Sequence, residues 1–189
     1  MRSRLDFVSA AILDIQATIR AIDVKVAALL VGVLAPLANV SRVFSHLDRF
    51  GSLSPEWFFV LLAFLFLLSW LLALITLVNA IGAIDNPAQH IINTDGCRGC
   101  FYAGGLYSLN IVDAFLNRDI IKASKDPYSF SATLPANENE MEVELVFEQM
   151  KLAYIRDVKR NRLNWGLHFS VIWLVLGITI FLSSRYLVG

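Results

Sequence analysis

The sequence predicts an all-α membrane protein with three transmembrane helices and a helical region between the second and the third. Hydrophobic residues make up 57% of the 189 residues, and charged residues make up 17%. A soluble domain usually carries about 25% charged residues. The apolar residues are also gathered in long uncharged runs, and a chain of this size is too small to cover such runs on all sides.

The charge balance excludes two other classes of protein. Sixteen Lys and Arg residues balance sixteen Asp and Glu residues. A disordered chain would be polar and rich in charge, and a nucleic-acid-binding protein would show a basic excess. We therefore expect neither a disordered protein nor nucleic acid as a partner.

The second and third spans give the clearest signals. Trp57 to Ile84 contains no charged residue, and a spanning helix needs about 20 apolar residues. We predict a transmembrane helix over 57–79. A second uncharged run lies between Arg162 and Arg185 and has His168 as its only ionisable group. It predicts a transmembrane helix over 163–184.

The first span is shorter. The uncharged run between Lys25 and Arg42 includes Pro36. The long side chains at its two ends can reach outward and extend it, so we predict a transmembrane helix over 26–44. The alternative is a re-entrant or interfacial helix.

Lys and Arg near the span ends set the orientation. They are concentrated before the first span and before the third, which predicts a cytoplasmic N-terminal segment (1–25) and a cytoplasmic middle region (80–162). The 45–56 loop and the 185–189 tail then lie on the periplasmic side. The basic residues concerned are Arg2, Arg4, Arg20, Lys25, Lys151, Arg156, Lys159, Arg160 and Arg162.

Two apolar stripes approach the membrane. The N-terminal stripe recurs at helical spacing and predicts one helix from about residue 5 to 44, kinked near Pro36. It can pack on another helix or lie in the membrane interface. A second stripe predicts a helix that begins after Asn137 or Asn139 and leads into the third span. The two stripes consist of Val8, Ile12, Ile15, Ile19, Ile22 and Val26, and of Val143, Phe147, Met150, Tyr154 and Val158.

The middle region holds one further predicted helix and a loop. Helical spacing of apolar residues runs from Tyr102 to Ile120, and Ser124 to Pro135 has the Ser and Pro content of a loop. The acidic run at Glu138, Glu140, Glu142 and Glu144 is interpreted as a solvated helix start.

No constellation in the sequence supports catalysis. Cys97 and Cys100 have the spacing of half a zinc site, but a structural zinc needs four ligands and no second pair follows. A redox pair would need a βαβ context that the pattern lacks. No phosphate-binding glycine motif occurs. We expect no enzyme, no metal and no cofactor. His168 is interpreted as a helix–helix hydrogen bond or an interfacial anchor near Trp165.

One stretch resembles a known family. Ile19 to Ala27 reads IRAIDVKVA and is similar to the I-R-x-A-D-x-K-A entry into the first span of the Pycsar transmembrane effectors, with Ile22 where that family tends to have Ala. The family-motif residues here are Arg20, Asp23 and Lys25. The order of parts is also similar, as are Cys100 to Phe115 and the helix that carries Lys159.

The resemblance implies a multi-pass protein of the bacterial inner membrane that acts in anti-phage defence. It would detect cyclic UMP or cyclic CMP, made by a neighbouring pyrimidine cyclase, in the 80–162 region. It would then impair the membrane and kill the infected cell, as a homo-oligomer. A cyclic nucleotide needs cations for its phosphate and an aromatic face for its base. The candidates are Arg98, Tyr102, Arg118, Lys122 and Lys125.

Two other functions fit the same architecture. One is a non-toxic membrane scaffold that docks a partner protein through its cytoplasmic helices. The other is a holin-like lysis protein, which would have no use for so long a middle region.

Overall fold

The computed structural model describes residues 4–53, 55–82, 84, 86–94, 96–101, 106 and 123–186. These residues form helices and turns, with no strand among them, which confirms the all-α class. Its elements, in chain order, are α1 (Arg4–Leu34), a 3-10 helix (Ala35–Asn39), α2 (Val40–Leu53), α3 (Glu56–Ile81), a second 3-10 helix (Pro87–His90), α4 (Pro127–Ser131) and α5 (Glu138–Tyr186).

Three helices are long and apolar enough to cross a membrane, as predicted. They lie within Arg4–Ser52, Glu56–Ile81 and Glu138–Ser184. The predicted 45–56 loop differs from the structure, because α2 continues to Leu53 and α3 begins at Glu56. The reason is a helical spacing of apolar residues, Val43, Leu47 and Phe50, which pack in one cluster with Phe66.

The predicted kink at Pro36 takes the form of the 3-10 helix between α1 and α2. Proline has no backbone N–H, so Pro36 interrupts the helical hydrogen bonds of the turn before it, which contains Gly32 and Val33. The indole Nε1 of Trp70 on α3 donates to the carbonyl oxygen of Val33 at 2.9 Å. In an apolar setting a free carbonyl is costly, so Trp70 stabilises the bend that Pro36 imposes.

This contact gives a first prediction. Trp70→Phe removes the donor and leaves the Val33 carbonyl without it, so we expect a loss of about 1–3 kcal/mol in the free energy of unfolding. Thermal unfolding of the purified protein in detergent measures the loss. Trp57→Phe is the matched control, because the Trp57 side chain is exposed at the start of α3. Equal stability of the two variants would contradict the role given to Trp70.

The chain divides into two compact units. The first comprises Met1–Gln16 and Asn86–Tyr154, and the second comprises Ala17–Asp85 and Ile155–Gly189. α1 and α5 therefore each contribute residues to both units. The helix predicted over Tyr102–Ile120 lies outside the described residues. Part of the predicted 124–135 loop is α4, whose first turn is capped by the Asp126 carboxylate.

In the second unit the apolar helices pack around two clusters. One is formed by α1 and α3, and the other joins α2, α3 and α5. Two glycines let α5 approach α3. A Cβ built at Gly166 would lie 2.7 Å from a methyl carbon of Leu77, and one at Gly177 would lie 3.2 Å from the Phe66 ring. Small residues at close helix crossings are typical of membrane helices. The buried members are Ile22, Val26, Val33, Ala73, Leu77 and Ala80 in the first cluster, and Phe50, Phe66 and Ile180 in the second.

The N-terminal stripe is buried as predicted except at Ile19, which is partly exposed; Val8, Ile12, Ile15, Ile22 and Val26 are each at most 6% exposed. The prediction for the second stripe was partly wrong. Val143 and Met150 are about half exposed, whereas α5 buries residues at 145, 148, 152 and 159. Two of these are charged, Glu148 and Lys159, and each is buried in an ion pair, with Lys151 and Asp23 respectively. Phe147 of the predicted stripe is buried, so a pattern based on apolar residues alone found part of this face and missed its two charged members.

The start of α5 confirms Asn137 as the cap. Its Oδ1 accepts the backbone N–H of Glu140 at 2.9 Å, and a Glu140 carboxylate oxygen accepts the backbone N–H of Ala136 at 3.0 Å. This reciprocal pair satisfies two N–H groups at the start of the helix. It also fixes the position at which Glu144, one turn later, meets the preceding loop.

Candidate functional site

The candidate site lies in the first unit, where the Gly96–Cys100 loop folds around a carboxylate of α5. Glu144 is 6% exposed. Its Oε1 accepts the backbone N–H of Arg98, and its Oε2 accepts that of Cys100 at 3.2 Å. Gly96 and Gly99 have φ values of +93° and +63°, which suit glycine. Successive backbone N–H groups turned inward in this way form an anion-binding loop.

Glu144 corrects the interpretation of the acidic run as a solvated helix start. Glu138 is exposed, but Glu144 is buried and Glu140 is held in the cap. The run mixes a charge that faces water, charges that hold backbone groups and, at Glu142, a charge paired with Arg4. The sequence signal that distinguishes them is the CRGC segment, whose glycine allows its N–H groups to converge on one acceptor.

The Glu144 carboxylate affects the pKa of two nearby cysteines. Burial, and then the nearby negative charge of Glu144, raise the pKa of both Cys97 and Cys100 above the usual value. The Cys100 thiol also donates to Glu144 Oε2 at 3.5 Å. The thiolate is the form that binds metals and acts as a nucleophile, so this setting favours the less reactive form. Among the described residues, no group of three or more His, Cys, Asp or Glu is placed to hold a metal ion.

A second prediction follows from the raised pKa values. Glu144→Gln keeps an acceptor for the loop and removes the charge, so the pKa of both thiols should fall. Alkylation by iodoacetamide should then accelerate at neutral pH, by up to about tenfold for each unit of pKa change. The measurement is the alkylation rate as a function of pH. Glu138→Gln is the control, since Glu138 is exposed. Unchanged rates in Glu144→Gln would contradict the contact.

A cavity of about 320 Å³ opens beside this loop. Its volume lies at the lower end of the range for small-molecule sites, about 300–1,000 Å³. Among the described lining residues, Arg98 is the cation, and Asn139, Glu140 and Glu144 carry the other polar side chains. Its lining residues are Gly96, Arg98, Pro135, Asn139, Glu140, Val143 and Glu144.

The predicted ligand residues differ in whether they line the cavity. Arg98 lines the cavity, and its backbone holds Glu144. Lys125 is exposed and is not part of the lining. Tyr102, Arg118 and Lys122 lie outside the described residues. Asn139 and Glu140, which the sequence suggested only as part of a helix start, line the same cavity as Arg98.

The family-motif residues lie in the second unit. Arg20 and Asp23 stand three residues apart on one helix and could pair with each other, but Asp23 Oδ1 accepts from Lys159 Nζ of α5 at 2.5 Å. Lys159 is buried, whereas Arg20 and Lys25 are exposed. The ion pair thus connects α1 with α5 and is not a contact within α1.

A second contact ties α5 to α3 close to that pair along the chain. Arg162 Nη1 donates to the carbonyl oxygen of Asn79 at 2.6 Å, two residues before α3 ends. The last carbonyls of a helix lack helical partners and attract cations. Asp23, Lys159, Arg162 and Asn79 therefore link the three long helices where the apolar segments begin.

The two histidines of the second unit have different partners. His168 Nδ1 lies 2.6 Å from the carbonyl oxygen of Asn164 in its own helix, and its ring centroid is 6.0 Å from that of Trp165. These contacts do not join His168 to another helix, and its role as an interfacial anchor near Trp165 stays a prediction. His46 Nδ1 lies 3.1 Å from Ser184 Oγ, so this hydrogen bond joins α2 to α5.

Comparison of the chain with protein-family models, curated proteins and solved structures found no match. The class that can be stated is therefore a structural one: an all-α protein with three helices able to span a membrane, one of whose two units holds a small cavity lined by charged and apolar residues.

Proposed function

We propose that the protein is a membrane effector of a bacterial anti-phage system, activated by cyclic UMP or cyclic CMP. Activation impairs the inner membrane and kills the infected cell. The observation that carries the proposal is the cavity beside Arg98, in a chain whose other unit contains the apolar helices. A ligand-gated membrane effector requires a ligand site in the same chain as its membrane helices, and a cavity with a cation in its lining is a candidate for that site. The resemblance of the segment around Asp23 to Pycsar effectors supplies the ligand class.

The cavity chemistry suits a nucleotide with both an anionic and a neutral polar part. Arg98 can bind the phosphate oxygens through a charge-assisted hydrogen bond. The Asn139 amide and the Glu140 carboxylate offer acceptors for ribose or base N–H and O–H donors. The Glu144 charge is already satisfied by backbone N–H groups, so it repels the phosphate less than a free carboxylate would.

In the proposed arrangement, residues 80–162 and the N-terminus are cytoplasmic, and the protein acts without catalysis. α1 and α5 contribute to both units, so ligand binding can repack them and favour assembly of several chains. A change from 1:99 to 99:1 in the active state needs about 5.5 kcal/mol of differential binding. In an oligomer with several ligand sites, each site supplies part of this free energy.

Reporter fusions test the orientation. Fusions at Ser129 should report the cytoplasm, and fusions at Leu53 and Gly189 should report the periplasm. A periplasmic signal at Ser129 would overturn the arrangement, because the ligand made in the cytoplasm would not reach the cavity.

Titration calorimetry of the full-length protein in detergent tests the ligand. We expect binding of cyclic UMP or cyclic CMP, with cyclic AMP as the non-pyrimidine control. Arg98→Glu should weaken binding at least tenfold, because a hydrogen bond to a charged group is worth about 1.5–3 kcal/mol. Lys125→Glu introduces the same charge change outside the cavity and should bind like the unmodified protein. Equal losses in the two variants would show a general charge effect and remove the cavity from the proposal.

A further inference from the structure

An open groove lies between α1 and α5 in the second unit, and its lining is almost entirely apolar. Its volume is about 290 Å³. Ala28 and Gly32 line it from α1, and Leu167, Val171 and Leu174 line it from α5. All five residues are exposed, so the groove opens to the outside of the helices. It lies within the apolar segments, where lipid chains surround a membrane protein.

The ion pair between Asp23 and Lys159 fixes the level of α1 against α5 at one end of this groove. The groove is lined by later residues of both helices, so the two helices run in the same direction here. Lys25 follows Asp23 by two residues, and Arg160 follows Lys159 by one. At a rise of about 1.5 Å per residue, Lys25 and Arg160 therefore leave the two helices at a similar level.

These two cations stand in line with the groove. Lys25 precedes Ala28 by three residues and Gly32 by seven, and Arg160 precedes Leu167 by seven. Residues three, four and seven positions apart lie on the same face of a helix. The groove thus has a cation from each helix at the end where α1 and α5 enter their apolar segments.

Both cations can bind an external anion. Lys25 and Arg160 are exposed, and the ion pairs found among the described residues include neither of them. The acids close to them along the helices, Asp23 and Asp157, are each paired with another cation. Basic residues beside grooves between membrane helices bind the head groups of anionic lipids.

We propose that this groove and its two cations form a binding site for one anionic phospholipid. An acyl chain lies in the groove, and the phosphate lies between Lys25 and Arg160, each of which donates to it through charge-assisted hydrogen bonds. The inference requires that α1 and α5 lie in a bilayer, and it does not depend on nucleotide binding.

Charge favours a lipid over a second copy of the chain in this groove. Copies in one membrane have the same orientation, so a symmetric contact through the groove would bring Lys25 and Arg160 of both copies together at one depth. Like charges placed opposite each other weaken such a contact. An anionic head group instead neutralises both cations.

Lipid binding by the purified full-length protein tests the site. Native mass spectrometry from detergent counts the bound molecules of phosphatidylglycerol and of phosphatidylcholine with the same acyl chains. The two probes share their tails and differ in net charge. We expect phosphatidylglycerol to bind about 30-fold more tightly, which corresponds to about 1 kcal/mol for each of the two cations. Equal affinities for the two lipids would overturn the proposal.

Removal of the cations tests whether they cause the preference. The double variant Lys25→Gln with Arg160→Gln should bind the two lipids equally well. Arg42→Gln with Arg49→Gln removes the same charge from exposed positions of α2, outside the site, and should keep the preference. An unchanged preference in the first double variant, or an equal loss in both, would overturn the assignment to Lys25 and Arg160.

A larger side chain in the groove tests whether the acyl chain lies there. A Cβ added at Gly32 would meet nothing within 4 Å, so the side chain of Gly32→Leu can extend into the groove. We expect it to weaken phosphatidylglycerol binding at least tenfold. Ala27→Leu, exposed on α1 but outside the lining, should bind like the unmodified protein. Equal binding by the two variants would overturn the proposal, and so would loss of dimers instead of lipid in Gly32→Leu, which would assign the groove to a second copy.

Discussion

Cells that express the Ile15→Asp variant together with a pyrimidine cyclase are expected to survive, although the protein still reaches the membrane. Ile15 is 6% exposed and belongs to the buried stripe of α1. A carboxylate placed there has no partner in an apolar contact, and burying it costs several kcal/mol. The packing of the first unit should therefore be lost, while the apolar segments that direct insertion are unchanged. Colony counts and the amount of protein in the membrane fraction measure the two effects.

The matched control for this variant is Leu13→Asp. Leu13 is 65% exposed on the same helix, two residues away, so the same charge there can reach water. Killing by Leu13→Asp and survival with Ile15→Asp would attribute the effect to the buried stripe. Killing by both variants would show that the stripe has no part in activation.

Lys159→Glu is expected to lower the free energy of unfolding by about 3 kcal/mol. Breaking a buried ion pair costs about 3–5 kcal/mol, and the lower end applies because the Asp23 side chain is 41% exposed. The substitution also places two carboxylates in contact at the level where α1 and α5 enter the apolar segment. Thermal unfolding in detergent measures the loss.

Exchange of the two charges separates this contact from a general effect of charge. The double variant Asp23→Lys with Lys159→Glu restores an attractive pair, and we expect it to recover at least half of the lost stability. Arg160→Glu makes a similar charge change at an exposed neighbouring position and should cost less than about 0.5 kcal/mol. A double variant no more stable than Lys159→Glu would contradict the pairing of α1 with α5.

Most of the fold could be predicted because uncharged runs and heptad-like stripes are local properties of the sequence. The runs around Phe66 and Trp173 gave two spans, and the stripe from Val8 to Val26 gave the buried face of α1. The extension of α2 to Leu53 was also present in the spacing of Val43, Leu47 and Phe50, which the prediction of a loop over 45–56 did not use. An amphipathic helix beside a span can be predicted only when its apolar residues and its charged residues are considered together.

The candidate site was less predictable because its contacts are between residues far apart in sequence. Arg98 could be proposed from its charge and from the resemblance, and it lines the cavity. Nothing local to Glu144 shows that the CRGC loop will wrap around it, since the partners are more than forty residues apart. The same holds for Lys159, whose partner could equally have been any acid on its own helix.

The most direct test of ligand-gated membrane damage is dye leakage from vesicles that carry the purified full-length protein. Carboxyfluorescein release is compared without nucleotide, with cyclic UMP, with cyclic CMP and with cyclic AMP. The proposed function predicts little release without nucleotide or with cyclic AMP, and rapid release with at least one cyclic pyrimidine nucleotide, reduced in Arg98→Glu. Equal release in all four conditions, or none in any, would contradict ligand gating and favour a membrane scaffold that docks a partner protein.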